Sequence, residues 1–511
     1  MKKKYLHLHP KDSIIVAMSD LSRGEKIRRV TVKETVPKWH KVAISPVRKD
    51  EPVYKYGQVI GYATKNIAQG EWVHVHNVGM GRLTELTVSE MAADIPPDPE
   101  PMMDRFFLGY RRPGGRAATR NCILLVSTVE CSNHVVEMVV RKLTVEQDNL
   151  LRQYPNVDGI VGIRHNSGCG LTAGSEAHLR QNRTLNGYIE HPNSAACIIV
   201  GLGCEKGQPD WILDCSQADC KRNLERKADK KPPVVMIQNE GGTRDTADRV
   251  IELVLNLLPE VNRNRRTLIS ASELVMAAQC GGSNALSGVT VNPAIGIASD
   301  LLVACGGTPF FAETTETFGA GHLLARRARS KAIARKYLDH VAWWENHLKS
   351  HGAHFDNNPT PGNKKGGLTT IAEKSLGSIA KGGNSALCGV VDYAEPVTGP
   401  GLFFMNTPAY DPVSCTGQTA GGALVGVFST GQGSCYGDLL VPWIKVVSNT
   451  EVFRRMPDME INAGMVLDGV PLETVGRQIF EQVLAVASGT KTYSEKMNIT
   501  GFDVWNTGVT T

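Results

Sequence analysis

Residues 358–381 combine lysines, glycines and short polar turns in a pattern that suits an anion. Glycine lets backbone N–H groups point into a concave loop, and lysine supplies a point charge that a carboxylate or a phosphate can share. Lys364 and Lys365 precede Gly366 and Gly367, whereas a Walker A loop has its lysine after the glycines. The pattern therefore predicts an anion site of another kind, with a solvated surface loop as the alternative.

Several other glycine-rich turns directly follow short apolar runs. They cover residues 165–170, 201–207, 280–288, 305–307 and 429–434. Ligands of open α/β sheets bind at the carboxyl ends of the strands, where such turns lie. The turn at 201–207 has the spacing Gly-x-Gly-x-x-x-Gly, which does not match the dinucleotide fingerprint. The turns predict a small-molecule site built from several strand ends.

The apolar pattern predicts the elements that hold these turns. Short apolar runs over residues 13–77 favour a small all-β module, and the proline-rich residues 95–101 favour a linker. Continuous apolar runs that alternate with helical stretches then predict parallel sheets covered on both faces. We therefore expect an α/β protein with a β module over 1–90, a linker over 91–105, a middle α/β domain over 106–265 and a C-terminal α/β domain over 266–511. Its longest helix is predicted at about residues 320–347.

Composition excludes several classes of protein. A net charge of +5 over 511 residues is too dilute for a nucleic-acid binder. No apolar stretch approaches the roughly 18 residues of a membrane span, and no apolar run of an export signal follows Met1. The twelve cysteines include no Cys-x-x-Cys pair. We expect a cytoplasmic protein with reduced thiols and neither nucleic-acid nor membrane partners.

The motifs in these segments resemble, in order along the whole chain, those of the altronate/galactarate dehydratase family. The N-terminal module resembles a SAF (β-clip) domain. The matching motifs are His40-Lys-Val-Ala, Tyr56-Gly-x-x-Ile-Gly-Tyr, Gly168-Cys169, Gly201-Leu-Gly-Cys-Glu, Cys280-Gly-Gly-Ser, Ser287-Gly-Val-Thr-x-Asn-Pro, Glu313-x-x-Glu316, Pro361-Gly-Asn-Lys and Lys374-Ser-Leu-Gly. Several long motifs in the right order are more specific than any one of them.

The resemblance implies dehydration of a sugar acid. The proton on C2 leaves with the hydroxyl on C3, and the enol becomes a 2-keto-3-deoxy acid. The C2 proton is weakly acidic, so a divalent metal or cationic donors must stabilise the enediolate, and the reaction needs a base and a general acid. Family members are associated with iron, so Fe²⁺ is expected, with Mn²⁺ or Mg²⁺ as alternatives. We expect a hydroxy-acid substrate and a homo-oligomer.

Candidate catalytic residues follow from the same motifs. His165 and Lys364 are candidate bases, Glu313 is a candidate acid or metal ligand that shares a helical face with Glu316, and Cys169 is a candidate thiol acid or base. The alternatives are a structural histidine, a solvated glutamate pair and a packing cysteine. Candidate substrate contacts are Lys365, Asn363, Ser283, Asn292, Gln432, Thr430 and Lys374.

Histidines of the N-terminal module are candidate metal ligands. His74 and His76 would lie on one face of a strand, because strand side chains alternate with period 2, and His9 and His40 lie in the same module. The alternative is that they are solvated or bonded to backbone. A second hypothesis for the cofactor is an iron–sulfur centre on four cysteines in or beside polar turns, which otherwise would be packing residues or thiol acids: Cys131, Cys169, Cys204 and Cys280.

One departure from the family bears on the substrate. Gln432 stands where the family commonly has an arginine, so a neutral amide replaces a fork that could hold a carboxylate. The sequence therefore leaves the particular hydroxy acid open. A carbon–sulfur lyase acting on a sulfonated hydroxy acid, or a non-catalytic sugar-acid binding protein, are the alternative functions.

Overall fold

The N-terminal module is all-β, as predicted. The computed structural model describes residues 4–81, 87–146, 149–214 and 231–506. The module contains β1 (Tyr5–Leu6), β2 (Ile14–Ala17), β3 (Lys26–Ile27), β4 (Val30–Thr31), β5 (Lys41–Ala43), β6 (Pro52–Lys55), β7 (Gln58–Ala63), β8 (Trp72–Val73) and β9 (Val78–Gly79). They form the antiparallel sheets β1-β2-β5-β8 and β6-β7-β9 and the hairpin β3-β4.

The middle region is built on the parallel sheet β13-β12-β14-β15. Its elements are β12 (Cys122–Ser127), α1 (Asn133–Arg141), β13 (Gly159–Ile163), α2 (Glu176–Ile189), β14 (Ser194–Gly201), α3 (Pro209–Leu213), β15 (Val234–Met236) and α4 (Thr243–Val261). A separate antiparallel sheet joins β10 (Phe106–Arg111), β11 (Ala117–Ala118) and β16 (Arg266–Ser270). Every residue of β12 is buried, as expected of a run that is apolar from Cys122 to Val126.

The C-terminal region carries a seven-stranded parallel sheet in the order β19-β20-β18-β17-β21-β22-β23. Its strands are β17 (Val275–Gly281), β18 (Thr308–Phe311), β19 (Leu387–Val391), β20 (Leu402–Met405), β21 (Val425–Thr430), β22 (Trp443–Val447) and β23 (Ile461–Asn462). Its helices are α5 (Val291–Ala304), α6 (Gly321–Arg326), α7 (Lys331–Ser350), α8 (Pro361–Lys365), α9 (Ile371–Ile379), α10 (Asp411–Ala420), α11 (Thr450–Arg455), α12 (Leu472–Ala487) and α13 (Tyr493–Lys496). The α/β fold class is confirmed.

The long helix predicted over residues 320–347 is wrong, because two helices occupy that stretch. Between α6 and α7, Ala328 forms a bridge with Leu387 at the edge of the sheet. Ser330 then caps α7, and its side chain accepts a hydrogen bond from the Ile333 N–H. Pairing with the sheet therefore interrupts a continuous helical pattern.

Helices α2 and α10 pack side by side between the two parallel sheets. His191, just after α2, donates from Nε2 to the Ala423 carbonyl just after α10 at 2.9 Å. Towards the other ends, Arg183 donates to the Tyr393 carbonyl, and the Tyr393 hydroxyl donates to the Val413 carbonyl. The two helices are therefore parallel. Because each begins at the carboxyl edge of its own sheet, both edges lie on the same side of the molecule.

The N-terminal module contacts the segment that follows α8. Gly367 has φ +94°, and a Cβ at this position would lie 2.4 Å from the Trp39 carbonyl oxygen. We expect Gly367→Ala to lower the free energy of unfolding by about 1–3 kcal/mol, measured by urea denaturation. Gly352→Ala is the control, since Gly352 also has positive φ but open space around it. Equal losses in both variants would show that the Trp39 contact contributes nothing.

None of the helices among the described residues is long and apolar enough to cross a membrane.

Candidate active site

A buried group of acidic and thiol side chains lies at the carboxyl edge of the seven-stranded sheet. Cys280 is the second-last residue of β17, and Glu313 and Glu316 follow β18. The exposed fractions of these residues are 2%, 1% and 3%. The Cys280 thiol and one carboxylate oxygen of each glutamate all lie within 4.8 Å of one another. Among the described residues, this is the one group of three such side chains spaced to share a metal ion.

Two buried lysines neutralise this group. Lys381 Nζ lies 2.9 Å from Cys280 Sγ and 3.3 Å from a Glu313 carboxylate oxygen. Lys374, on α9, donates to Glu316 at 2.6 Å. Both lysines are at least nine-tenths buried. The site therefore holds two ammonium groups and two carboxyl groups away from water, where their interactions are strong.

The two carboxyl groups differ in pKa. Burial and the neighbouring Glu316, only partly offset by Lys381, raise the pKa of Glu313 to about 8. Burial also acts to raise the pKa of Glu316, but Lys374 and Lys381 outweigh it and leave this value below the ordinary range. Burial raises the pKa of the Cys280 thiol to about 12. At neutral pH the proton therefore rests on Glu313 and the negative charge on Glu316, as in sites that separate an acid from a base.

Glu313 has an unusual backbone conformation. Its φ and ψ are 75° and 69°, in the left-handed region that non-glycine residues seldom adopt. The Glu313 N–H donates to the Thr407 hydroxyl at 2.9 Å, and the Thr314 N–H donates to the Thr407 carbonyl. The segment just after β20 therefore holds the strained residue in place, and backbone strain of this kind is often found at functional sites.

The glycine-rich turns after β17 and β21 meet helix α8. Asn363 donates from its side-chain amide to the Ser283 carbonyl at 2.9 Å, and its Oδ1 lies 3.4 Å from Lys374 Nζ. Gln432 donates to the carbonyls of Gly362 and Ser283. Four of the predicted substrate residues, Asn363, Ser283, Gln432 and Lys374, therefore lie together beside the acidic group.

Two other predicted substrate residues form buried hydrogen bonds within or between neighbouring elements. Asn292 accepts a hydrogen bond from the Ser429 hydroxyl at 2.6 Å and donates to the Gly377 carbonyl at 2.9 Å. The Thr430 hydroxyl accepts from the Gly433 N–H at 2.9 Å, which closes the turn after β21. Both side chains are buried in these contacts. They hold elements around the site together.

The N-terminal histidines gather around Trp72, but not on a strand. Strand β8 ends at Val73, so the predicted alternation of His74 and His76 on one strand face is wrong. His74 stacks on the Trp72 ring at 5.3 Å, and His76 lies 5.1 Å from the same ring. His40 accepts from Trp72 Nε1 at 3.1 Å and donates from Nε2 to the carbonyl of Lys365 at 3.1 Å. His40 therefore uses both nitrogens to join the module to α8, which leaves neither for a metal.

His74 and His9, two other histidines predicted as metal ligands, have different surroundings. The Nδ1 atom of His74 is buried without a hydrogen-bond partner, and burial, with Lys41 adding to it, lowers the pKa of His74 to about 3. His74 is therefore neutral, the form that binds metals. His9 accepts from the Lys11 N–H at 3.1 Å, and its ring lies against Gly57. Among the described residues, these histidines do not form a set of three closely spaced ligand atoms.

His165 and its neighbouring cysteines lie at the edge of the middle sheet. His165 donates from Nε2 to the Ser127 carbonyl at 3.1 Å, and burial lowers its pKa to about 4. Cys169, in the same turn, is exposed, as are Cys131 and Cys204. Cys280 lies in the C-terminal region beside Lys381, and among the described residues the four cysteines do not form a set of closely spaced donor atoms. Cys215 and Cys220 lie outside the described residues.

The sequence analysis did not predict Lys381 or Asp411 as residues of the candidate site, and two lysines that it did predict are less buried. Lys381 follows Lys374 by seven residues, two helical turns, which was the signal that could have placed both lysines on one face. Asp411 accepts from the Gln279 amide at 3.0 Å, and burial raises its pKa to about 6. Lys364 is half-buried and Lys365 is exposed on α8. Of the two buried cationic groups, Lys374 was predicted as a substrate contact and Lys381 was not.

The chain matches family descriptions along nearly all of its length. Residues 3–81 match the altronate/galactarate dehydratase SAF domain. Residues 109–262 match the second domain of D-galactarate dehydratase/altronate hydrolase, and residues 271–510 match the C-terminal domain of D-galactarate/altronate dehydratase.

Whole-chain relatives agree with these matches. The chain is 37% identical to galactarate dehydratase (L-threo-forming) of Escherichia coli strain K12, over 97% of this chain and 95% of that protein. It is 30% identical to altronate dehydratase of Bacillus subtilis strain 168, over 99% of this chain and 100% of that protein. It is 31% identical to the (2R)-sulfolactate sulfo-lyase subunit beta of Chromohalobacter salexigens, over 77% of this chain and 95% of that protein. Similarity of this extent shows that the chain belongs to the D-galactarate/altronate dehydratase family of lyases.

Proposed function

We propose that this chain dehydrates a sugar acid of the aldonate or aldarate class, such as altronate or galactarate, to a 2-keto-3-deoxy acid. The C2–H and C3–O bonds break, water leaves, and the enol tautomerises to the ketone. Family membership supports the reaction class. The observation that carries the proposal is the buried group of Cys280, Glu313 and Glu316 with its two lysines at the carboxyl edge of the sheet.

The proton chemistry follows from the charges in this group. Glu313, protonated at neutral pH, is placed to protonate the departing C3 hydroxyl, and ionised Glu316 to take the C2 proton. Burial acts to lower the pKa of Lys374 and Lys381, but their acidic neighbours outweigh it and raise both values. Both lysines therefore stay charged and can stabilise the substrate carboxylate and the enediolate.

The roles predicted for other residues remain proposals. His165 is neutral and retains an unpartnered ring nitrogen, as a base requires, but its hydrogen bonds lie within the middle region. Lys364 and Lys365 lie on α8 beside the Asn363 contact and are positioned to attract a carboxylate. Cys169 is exposed at the middle edge. We assign the proton transfers to the two glutamates, because they combine burial with opposite protonation states.

A divalent metal fits the donor set of the site. One thiol and two carboxyl groups suit Fe²⁺ better than Mg²⁺ or Mn²⁺, since the thiolate is a soft ligand. Such an ion, when bound, would polarise the substrate carboxylate and stabilise the enediolate. Lys381 contacts Cys280 Sγ and Glu313 Oε2 and would compete with an ion for them. Lys374, in contrast, pairs with the other oxygen of Glu316 from the one that faces Cys280. His74 and His76 remain the alternative ligand pair.

The proposal is tested on the protein purified anaerobically and loaded with ferrous iron. We expect a 2-keto acid from at least one substrate in a panel of aldonates, aldarates and sulfonated hydroxy acids, and a lower rate after chelation of the iron. Absence of turnover on the whole panel, with the metal loading verified, would refute the enzymatic proposal and favour a sugar-acid binding protein.

A second reaction has its own support. The similarity to the sulfolactate sulfo-lyase subunit beta and the neutral Gln432 both allow a sulfonated hydroxy acid, from which the same C2 proton abstraction would expel sulfite. Sulfite without 2-keto sugar acid in the same panel would select this function. We also propose a cytoplasmic homo-oligomer, whose mass is measured by analytical ultracentrifugation.

A further inference from the structure

Three exposed cysteines lie at one edge of the middle sheet. Strands β13, β12 and β14 are neighbours, and the turns after them carry Cys169, Cys131 and Cys204 respectively. Parallel neighbours are about 4.8 Å apart, so these turns leave the sheet side by side. Cysteine is among the residue types most often buried. The one other described cysteine that is exposed is Cys435, in the C-terminal region.

A buried carboxylate ties the Cys204 turn to the end of β12. The side chain of Glu205 is almost fully buried. It accepts hydrogen bonds from the N–H groups of Leu202 and Gly203 at 3.0 and 2.6 Å, and from the Thr128 hydroxyl at 2.6 Å. Thr128 precedes the turn that carries Cys131. The position of Cys204 is therefore defined relative to that turn.

An amide ties the Cys169 turn to the same segment. Asn133, at the start of α1, donates to the His165 carbonyl at 2.9 Å and accepts from the His165 N–H at 3.3 Å. The Glu130 N–H, next to Cys131, donates to the carbonyl of Ser167 at 3.1 Å. Both the turns at 165–170 and at 202–205 are therefore braced against residues 128–133, and the three cysteines sit on preorganised backbone.

Glycines next to the cysteines allow this close approach. Gly168 has φ +111°, and a Cβ there would lie 2.6 Å from the Thr128 carbonyl oxygen. Gly203 has φ +133°, and a Cβ there would lie 2.4 Å from the Gln238 side-chain oxygen. The Gln238 amide also donates to Cys204 Sγ at 3.4 Å. N–H donors to sulfur are among the interactions by which proteins tune iron–sulfur centres.

We propose that Cys131, Cys169 and Cys204 ligate an iron–sulfur cluster of the [4Fe–4S] type. Each thiol releases one proton as its sulfur binds one iron of a [4Fe–4S]²⁺ core assembled from equal amounts of ferrous and ferric iron and four sulfides, so that no further oxidant is needed. Three protein ligands leave the fourth iron open to water or to a hydroxy-acid oxygen. This edge lies on the same side of the molecule as the Cys280 site, but the cluster does not depend on the reaction proposed there.

The positions of the three thiols do not fit a single tetrahedral ion. Thiolates around one tetrahedral ion lie about 3.8 Å apart, given metal–sulfur distances of about 2.3 Å. Among the described residues, Cys131, Cys169 and Cys204 do not form a set of donor atoms within 4.8 Å of one another. In a cluster each thiolate binds a different iron, so its ligands stand further apart.

The test uses the full chain, purified anaerobically and reconstituted with sulfide and equal amounts of ferrous and ferric iron. We expect about four irons and four acid-labile sulfides per chain, the visible absorption of a cluster and an electron paramagnetic resonance signal after reduction. Cys131→Ser, Cys169→Ser and Cys204→Ser should each lose most of the sulfide. Cys435→Ser is the matched control, because it replaces an exposed cysteine elsewhere and should retain the full content.

This test can fail independently of the reaction proposed at the C-terminal site. Sulfide content is the readout, since an ion bound to Cys280, Glu313 and Glu316 brings no sulfide. Circular dichroism checks that each serine variant is folded, as expected for substitutions of exposed side chains. The proposal is overturned if the wild type incorporates no sulfide, if the three variants keep their sulfide, or if Cys435→Ser loses as much. Stoichiometric zinc or iron binding through the three cysteines without sulfide would replace the cluster by a single-ion site.

Discussion

Glu313→Gln should lower kcat by about 100- to 10,000-fold, the usual range for loss of a general acid. Glutamine has nearly the shape of a protonated glutamate, so it keeps the contact of the Glu313 N–H with Thr407 while removing the transferable proton. The measurement is the rate of 2-keto acid formation with the best substrate of the panel. Glu345→Gln is the control, because Glu345 forms an exposed pair with Lys349 on α7 and should leave kcat unchanged.

The pH profile gives a second readout for the same residue. Burial raises the pKa of Glu313 to about 8, so its carboxyl group is protonated below that pH and loses the proton above it. Wild-type kcat should therefore fall as the pH rises through about 8. The residual activity of Glu313→Gln should lack this fall. An unchanged profile in the variant, or a kcat close to that of the wild type, would assign the acid role elsewhere.

Glu373→Gln should lower the free energy of unfolding by about 3–5 kcal/mol, the cost of breaking a buried ion pair. Lys41 on β5 and Lys55 on β6 donate to Glu373 on α9, at 2.8 Å each, and all three side chains are fully buried. Burial opposes ionisation of Glu373, but the two lysines outweigh it and hold its pKa well below the ordinary range. The substitution leaves two buried ammonium groups without their counter-charge.

The matched control for this loss is Glu451→Gln. Glu451 also pairs with an N-terminal lysine, Lys38, at 2.7 Å, but the two side chains are 61% and 42% exposed. An exposed pair contributes about 0–1 kcal/mol, so this variant should unfold almost like the wild type in urea. Equal losses in the two variants would contradict the account.

The Glu373 contact also bears on the active site. Lys374 is the next residue on α9 and pairs with Glu316 at 2.6 Å, while Lys41 also donates to the Gly367 carbonyl at 2.6 Å. The N-terminal module therefore holds both ends of the segment that presents Lys374. This gives the β module a positioning role that needs no metal bound to its histidines.

The pattern of apolar residues along the sequence was sufficient to predict the α/β architecture. Continuous apolar runs such as 122–127 are buried on both faces of a parallel sheet, so their composition predicts that environment. Glycine-rich turns at strand ends predicted a site built from several strand ends, because parallel strands bring their carboxyl ends to one edge. The turns after β17 and β21 do meet, since the N–H groups of Gly431 and Gln432 donate to the Gly282 carbonyl. The ordered motifs identified the family for the same reason, since each is a local run of residues.

The partners of individual side chains required the tertiary structure. Sequence proximity favoured Lys364 and the His-x-His pair, yet Lys381 occupies the buried site and His40 joins the module to α8. The opposite protonation of Glu313 and Glu316, three residues apart, depends on burial and on lysines more than fifty residues away along the chain. The sequence by itself determined the fold class and the family, and it predicted a candidate site at the strand ends. The tertiary structure decided which groups carry charge there, because desolvation and long-range pairing arise only when distant segments pack together.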